Sequence, residues 1–171
     1  MDTLIHIRPA QETDAPAYRN LRLEALRSQP EAFSADYASN EAQPPDFWTH
    51  RLLQAQGSEG MLCFAVHGDD LVGMCGIQRN NSPKTRHGAT IWGVYVRAEW
   101  RGQRLSDRLI AHCLEWARAQ AVKVVRLGVI TTNTPAIHCY LRCGFTVYGV
   151  EPQSIYASGT MYDELLMARI L

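Results

Sequence analysis

The stretch of sequence that decides the fold runs Val94-Tyr95-Val96-Arg97-Ala98-Glu99-Trp100-Arg101-Gly102-Gln103-Arg104-Leu105-Ser106. It begins as an apolar strand, passes through a short turn and enters a helix at Leu105, from which apolar residues recur at helical spacing. The first amides of a helix lack partners within it and lie at the positive end of its dipole. The segment from Arg101 to Ser106 is therefore expected to bind an anion such as a phosphate. Three arginines in or just after this turn add positive charge: Arg101, Arg104 and Arg108.

Two common nucleotide-binding motifs are absent from this turn. No Gly-Lys-Ser/Thr follows it, as a P-loop requires, and the G-x-G-x-x-G spacing of dinucleotide-binding folds is missing. Spacing alone also fits an ordinary strand-to-helix turn with solvated arginines, so the turn suggests an anion site without naming its ligand.

Apolar patterning outward from this stretch predicts the element order β-α-α-β-β-β-α-β-α-β-β. On the N-terminal side, Asp14 is expected to cap the first helix, and Pro44-Pro45 to open the second. A tight turn at 68–70 joins two strands into a hairpin, and loops are expected at 38–45 and 78–88.

On the C-terminal side, the short second crossover helix is expected to be capped by Thr134 and ended by Gly144. Two strands, at 146–150 and 161–169, close the chain, with a loop at 152–159 between them. Hairpins and helical crossovers both occur, so the predicted fold class is mixed α/β (α+β) with a mostly antiparallel central sheet.

The bulk properties of the chain fit one domain, residues 1–171. Seventeen acidic and 17 basic residues cancel, so no overall field favours nucleic acid or a membrane surface as a partner. Residues 1–7 lack the basic start and apolar core of a signal peptide, and no apolar run approaches the roughly 18 residues of a membrane span. We therefore expect a cytoplasmic protein. The five cysteines lack metal-binding spacing, so we expect reduced thiols and no metal.

The chain resembles the GNAT superfamily of N-acetyltransferases. Its signature is a strand ending in a hydrophobic pair, then R/Q-x-x-G-x-G/A opening a helix, a layout that Val94-Tyr95-Val96 and 101–106 follow. The likeness continues through a strand to Asn133, then Tyr140, then Gly144-Phe145. The predicted element order also agrees with the family fold.

The signature departs from the family pattern at two positions. Arg104 stands where the family has its first glycine, and Ser106 where it has its second small residue. The side chain of Arg104 could crowd a pyrophosphate or pair with it. The carboxylate of Asp107 would oppose a nearby phosphate, so we expect it to turn toward solvent.

The resemblance implies a function and a set of site residues. The cofactor would be acetyl-CoA, with its pantetheine arm inserted between splayed strands at 89–96 and 124–130, and no metal would take part. The amide of Val96 would polarise the acetyl carbonyl, and Tyr140 would protonate the departing thiolate. The implied cofactor-binding residues are Val94, Tyr95, Val96, Arg101, Gly102, Gln103, Arg104, Leu105, Ser106 and Asn133. Without the resemblance, Tyr140 would be interpreted as a half-buried aromatic and Asn133 as a helix cap.

The acceptor pocket is expected between the two early helices and the loop at 152–159, with five candidate lining residues: Phe47, Trp48, Trp92, Tyr156 and Tyr162. Most of these rings could equally complete the core. The general base is unassigned, because strand 89–96 carries no carboxylate and three groups near other strand ends fit solvated positions equally well: His87, Asp163 and Glu164.

The sequence favours acetylation of a primary amine of a small molecule. Acetylation of a protein or peptide amine stays open, as does a non-catalytic CoA-binding regulatory module, which Arg104 and the missing strand carboxylate motivate. A structural domain without cofactor is disfavoured, because the turn keeps its phosphate-binding potential. The sequence does not decide whether the chain forms a homodimer.

Overall fold

The computed structural model describes residues 4–171, and the first three residues of the segment considered for a signal peptide lie outside them. Seven strands form one sheet in this part of the chain: β1 (His6–Pro9), β2 (Gly60–His67), β3 (Asp70–Arg79), β4 (Gly88–Val96), β5 (Val124–Ile130), β6 (Thr146–Ala157) and β7 (Thr160–Ile170). Five α-helices accompany them: α1 (Ala15–Ser28), α2 (Tyr37–Glu41), α3 (Pro45–Gln54), α4 (Leu105–Ala119) and α5 (Thr134–Arg142). None of these helices has the length and apolar character needed to cross a membrane.

The sheet has the strand order β1-β2-β3-β4-β5-β7-β6, and every neighbouring pair is antiparallel except β4 and β5. The prediction of a mixed, mostly antiparallel sheet is therefore confirmed. Strand residues alternate between two faces, so each face buries its own core. One core joins the sheet to α4 and to Tyr140 of α5. The other joins the opposite face to α1 and α3, around Tyr18 and Trp48.

The parallel neighbours β4 and β5 separate after only three cross-strand pairs: Gly88 with Val124, Ala89 with Val125, and Thr90 with Arg126. We call the gap between 91–96 and 127–130 the β4–β5 groove. A bulge in β4 accompanies it. Trp92 lies opposite Gly76 and Tyr95 opposite Met74, so Gly93 and Val94 together face one residue, and Gly93 has a φ of +65°. The splay that the family resemblance implied is present.

Two predicted loops contain regular structure. Helix α2 (Tyr37–Glu41) overlaps the first half of 38–45 and is capped by Asp36, whose carboxylate accepts from the amide of Ser39 at 2.8 Å. Strand β6 continues to Ala157, so the loop predicted at 152–159 shrinks to the turn at 158–159. Pro152 is tolerated because β6 is an edge strand and its register shifts between Glu151 and Ile155.

Of the two predicted N-caps, Asp14 does occupy the N-cap position of α1 but without a side-chain cap bond, and the prediction of Thr134 is wrong. The side chain of Asp14 makes no cap bond to α1; it accepts from Arg8 at 2.7 and 2.8 Å and from the amide of Gln11 at 2.7 Å. Helix α5 is capped by Asn133, whose side chain accepts from the amide of Ala136 at 3.3 Å, and Thr134 is its first residue.

Candidate active site

A cavity of about 450 Å³ follows the β4–β5 groove from the start of α4 to α5. It is lined by nearly all the residues implied by the family resemblance: Val94, Tyr95, Val96, Arg101, Gly102, Arg104, Leu105, Ser106, Asn133 and Tyr140. Gln103 is exposed and does not line it. The fold thus brings residues of β4, the turn before α4 and α5 together around one cavity.

The sheet register determines which backbone groups point into the groove. Tyr95 lies opposite Met74, and the amide of Arg97 donates to the carbonyl of Val72 at 3.0 Å. The backbone groups of Val96, which lies between Tyr95 and Arg97, therefore point away from β3 and toward the groove. The carbonyl of Val96 accepts from Nε of Arg101 at 3.0 Å, which leaves its amide as the group facing the cavity.

The opposite wall offers backbone groups in the same way. The amide of Thr131 donates to the carbonyl of Asp163 at 2.9 Å, which fixes the alternation along the β5–β7 ladder. By that alternation the amide and carbonyl of Gly128 point away from β7 and into the groove. An extended chain with amide groups can therefore hydrogen-bond to both walls.

The turn before α4 holds an arginine in a backbone conformation that favours glycine. Arg104 has φ 56° and ψ 30°, in the left-handed region, and lies immediately before the first helical residue, Leu105. This conformation explains why the family signature has a glycine at this position. The carbonyl of Arg104 accepts from the amide of Arg108 at 3.2 Å. The amides that precede Arg108 are therefore the unpaired first amides of the helix.

Two charged residues near this helix start lie differently from expectation. Arg108 turns away from the site and donates to the carbonyl of Ile5 at 2.9 Å. Asp107 does not point to solvent. Its two oxygens accept from Arg142 at 2.8 and 2.9 Å and from the thiol of Cys139 at 3.1 Å. The hydrogen bonds from Arg142 hold the pKa of Asp107 below its usual value. Pairing with α5 offsets the charge that would oppose a phosphate.

The thiols of Cys139 and Cys143 and the carboxylate of Asp107 lie within 4.8 Å of one another. Three ligands are one short of a closed tetrahedral zinc site, and the carboxylate is already engaged by Arg142. These residues therefore act as a link between α4 and α5.

Tyr140 lies on α5 with 7% of its surface exposed and lines the cavity. Its ring packs edge-on against Phe145, with 6.3 Å between centroids. Burial raises the pKa of Tyr140 well above its usual range, and the neighbouring thiols of Cys75, Cys139 and Cys143 raise it further. The phenol therefore keeps its proton at every pH at which the protein would work.

The predicted acceptor residues divide into three groups. Phe47 and Trp92 line a smaller cavity of about 340 Å³, and Trp92 also lines the larger one. Trp48 is 1% exposed and packs edge-on against Tyr18, so it belongs to the core. Tyr156 is 67% exposed on the edge strand β6, and neither it nor Tyr162 lines either of these two cavities. Of the five predicted lining residues, Trp48 is therefore the one that the core accounts for, and a lining role for Tyr156 and Tyr162 stays a prediction.

Sequence reasoning missed two arginines near the bulge of β4. Arg22 is buried on α1 near the bulge, and Arg51 of α3 lies over the ring of Trp92 at 5.3 Å. A signal was present for the first, because Arg22 follows Tyr18 by four residues and precedes Ala25 by three, which places a charged residue on the apolar stripe of the helix.

The three groups considered as bases lie at different places. His87 is exposed, and Asp163 accepts from the amide of Gln153 at 2.8 Å. Glu164 accepts from the hydroxyl of Ser154 at 2.6 Å, and one of its oxygens lies 2.9 Å from where a Cβ on Gly128 would be. Glu164 therefore packs against a residue that lines the groove.

Sequence comparison finds relatives that the chain covers in part. Over 103 residues it is 34% identical to mycothiol acetyltransferase of Corynebacterium glutamicum, which is 58% of this chain and 34% of that protein. Over 74 residues it is 34% identical to L-methionine sulfoximine/L-methionine sulfone acetyltransferase of Pseudomonas aeruginosa, 43% of each protein. The chain therefore spans less than half the length of either of these curated relatives.

Structure comparison finds the same fold in yncA from Salmonella typhimurium, solved with its cofactor acetyl-CoA. The TM-score is 0.87 over 98% of this chain and 94% of that chain, at 20% identity. A family model described as the acetyltransferase (GNAT) family matches residues 19–145, which include the turn before α4, both walls of the groove and Tyr140. The chain belongs to the acetyltransferase (GNAT) family.

Proposed function

We propose that this protein transfers an acetyl group from acetyl-CoA to a primary amine of a small molecule. The observation that carries the proposal is the β4–β5 groove, which joins a helix start, two walls of free backbone groups and a tyrosine in one cavity. The unpaired amides at the start of α4 suit the pyrophosphate, and the groove walls suit the amide groups of the pantetheine arm. Two relatives named as acetyltransferases of small molecules support the acceptor class.

The chemistry is a direct transfer. When bound, acetyl-CoA supplies a thioester whose carbonyl a neutral amine can attack. The amide of Val96 donates to the carbonyl oxygen and stabilises the negative charge that develops on it. The new N–C bond forms as the C–S bond breaks, and the hydroxyl of Tyr140 gives its proton to the departing sulfur. After the N–C bond has formed, the nitrogen carries one excess proton, and transfer of that proton to the tyrosinate, directly or through solvent, would restore Tyr140 and balance the charge.

The raised pKa of Tyr140 fits the role of a general acid, because the basicity of the group that it protonates is raised as well. A phenol with a raised pKa is always protonated and can donate, but it is a weaker acid than a phenol in water. A thiolate that forms beside this buried phenol would also lose contact with solvent, which would raise its own basicity. The two pKa values therefore shift in the same direction, and proton transfer stays feasible.

The first experiment measures acetyl-CoA binding by calorimetry and then thiol release over a panel of amines. Tyr140→Phe should lower kcat by about 10²-fold or more, with the Kd for acetyl-CoA within about threefold of wild type. Tyr148→Phe, at an exposed position on β6, is the matched control and should keep wild-type kcat. An absence of acetyl-CoA binding would refute the proposal. Binding without thiol release from any amine would favour a non-catalytic module.

A further inference from the structure

A buried guanidinium without an anionic partner lies beside the bulge of β4. The side chain of Arg22 is 4% exposed, and its Nε and Nη1 atoms make no hydrogen bond within residues 4–171. Burial lowers the pKa of Arg22 to about 10, Tyr18 opposes this shift and Arg51 adds to it, so the group is still charged at neutral pH. A buried charge with unpaired donors is strongly unfavourable unless an anion joins it.

Within residues 4–171, no carboxylate pairs with Arg22 from the elements packed around it. The groups that act on its charge are Tyr18 on the same helix and Arg51 on α3. Because Arg51 lies over Trp92, a ring shared by both cavities, the two cations lie close to the cavity walls. The chain is neutral overall, so this local positive charge is specific to the site.

The position of Arg22 is close to the proposed reaction centre. Its Nη1 atom would lie 3.5 Å from a Cβ built on Gly93, and its guanidinium lies 4.9 Å from the ring centroid of Phe33. Gly93 and Phe33 both line the groove cavity. Gly93 precedes Val96 by three residues, or ~10 Å along the strand. A carboxylate, an amine and an acetyl group placed in line can bridge that distance.

We propose that the acceptor is an amine that also carries a carboxylate, and that Arg22, with Arg51, binds this carboxylate beside the bulge. This inference rests on the proposed function, because it names the acceptor class of the same site. Arginine is suited to the task, since its planar fork of donors matches a carboxylate. Phe33 and Trp92 leave apolar walls for the rest of the acceptor.

The test uses amines that differ only in the carboxylate: L-leucine, L-leucinamide and 3-methylbutylamine, with L-phenylalanine, its amide and phenethylamine as a second set. The kcat/KM, expressed per neutral amine, is measured for wild type, Arg22→Met, Arg22→Lys and the control Arg27→Met, an exposed position on the same helix. Wild type and Arg27→Met should favour the amino acid at least ~10-fold. Arg22→Met should reduce the preference to about twofold or less, and Arg22→Lys should restore part of it.

Equal rates across each set with wild type would overturn the inference and leave acetyl transfer established, and this comparison needs no variant. A preference that survives in folded Arg22→Met would overturn it as well. If no amine is acetylated, the proposed function fails by itself. The carboxylate site is then tested by the unfolding midpoint, measured with and without the amino acid. Stabilisation of wild type but not of Arg22→Met by L-leucine or L-phenylalanine would support the carboxylate site, and stabilisation of neither would refute it.

Discussion

Replacing Arg104 by glycine should stabilise the protein, although it removes a long side chain. Arg104 is the residue before α4, with φ 56° and ψ 30°. The left-handed conformation costs a residue with a Cβ about 1–2 kcal/mol, and glycine avoids this cost. Glycine is also freer in the unfolded chain, which lowers the free energy of unfolding by about 0.5–1 kcal/mol. The side chain is exposed, so no packing is lost. The net gain is about 0.5–1 kcal/mol, or roughly 1–4 °C in Tm for a chain of this size.

Arg104→Ala is the matched control, because alanine also removes the guanidinium but keeps the Cβ. Thermal unfolding should rank glycine above both alanine and arginine. Calorimetry with acetyl-CoA separates the second role of this residue. If the guanidinium binds a phosphate of acetyl-CoA, both variants should lose about tenfold or more in affinity for acetyl-CoA. If it crowds the site, both should keep or improve affinity.

A Tm of Arg104→Gly equal to or below that of Arg104→Ala would refute the reasoning from backbone strain. An affinity loss in the alanine variant alone would show that backbone geometry, and not charge, controls the turn. The two measurements are independent, so the prediction for stability and the prediction for affinity can each fail without affecting the other.

Two further substitutions test other parts of the structure. Gly93→Ala should lower Tm by a few degrees and weaken acetyl-CoA binding, because a φ of +65° is strained for alanine and the bulge aims the groove wall. Gly149→Ala, whose new Cβ would meet only Leu166 at 3.7 Å, should be neutral. Asp14→Asn should cost about 1–3 kcal/mol of unfolding free energy in urea at pH 7. Burial pushes the pKa of Asp14 up, but Arg8 and the amide of Gln11 outweigh it and leave the pKa lowered. The stabilisation is therefore present above the ordinary pKa of about 3.9 and is lost as the pH falls through the lower folded value. The gap between wild type and variant should shrink at pH 3, and a gap that widens there would contradict this account.

Local periodicity predicted the parts of the fold that depend on one segment at a time. Helix α4 and the hairpin at 68–70 follow from apolar spacing and turn residues close together in sequence. Capping was predicted less well, because Asn133 and Thr134 are adjacent and both accept hydrogen bonds, so only the observed geometry separates them. Strand β6 was underestimated because Pro152 suggested a loop, whereas an edge position tolerates it.

The site depends on contacts between segments that are far apart in sequence. Such contacts could not be predicted from the sequence alone. Asp107 and Arg142 meet because α4 and α5 lie side by side, which no local pattern indicates. Arg22 reaches Gly93 from a different element, 71 positions away in the chain. The bulge is visible in the burial pattern of β4. Ile91 and Val94 face the same core, although strict alternation would place them on opposite faces.

The short junction of β4 and β5 divides the sheet into two plates, β1 to β4 and β5 to β7. Three residue pairs and the helices behind them join these plates. A change in the angle between the plates widens or narrows the groove while each plate keeps its own ladder of hydrogen bonds. A molecule that spans the groove would fix that angle, so we expect occupancy at the centre of the sheet to stiffen the protein out to its edge strands, β1 and β6.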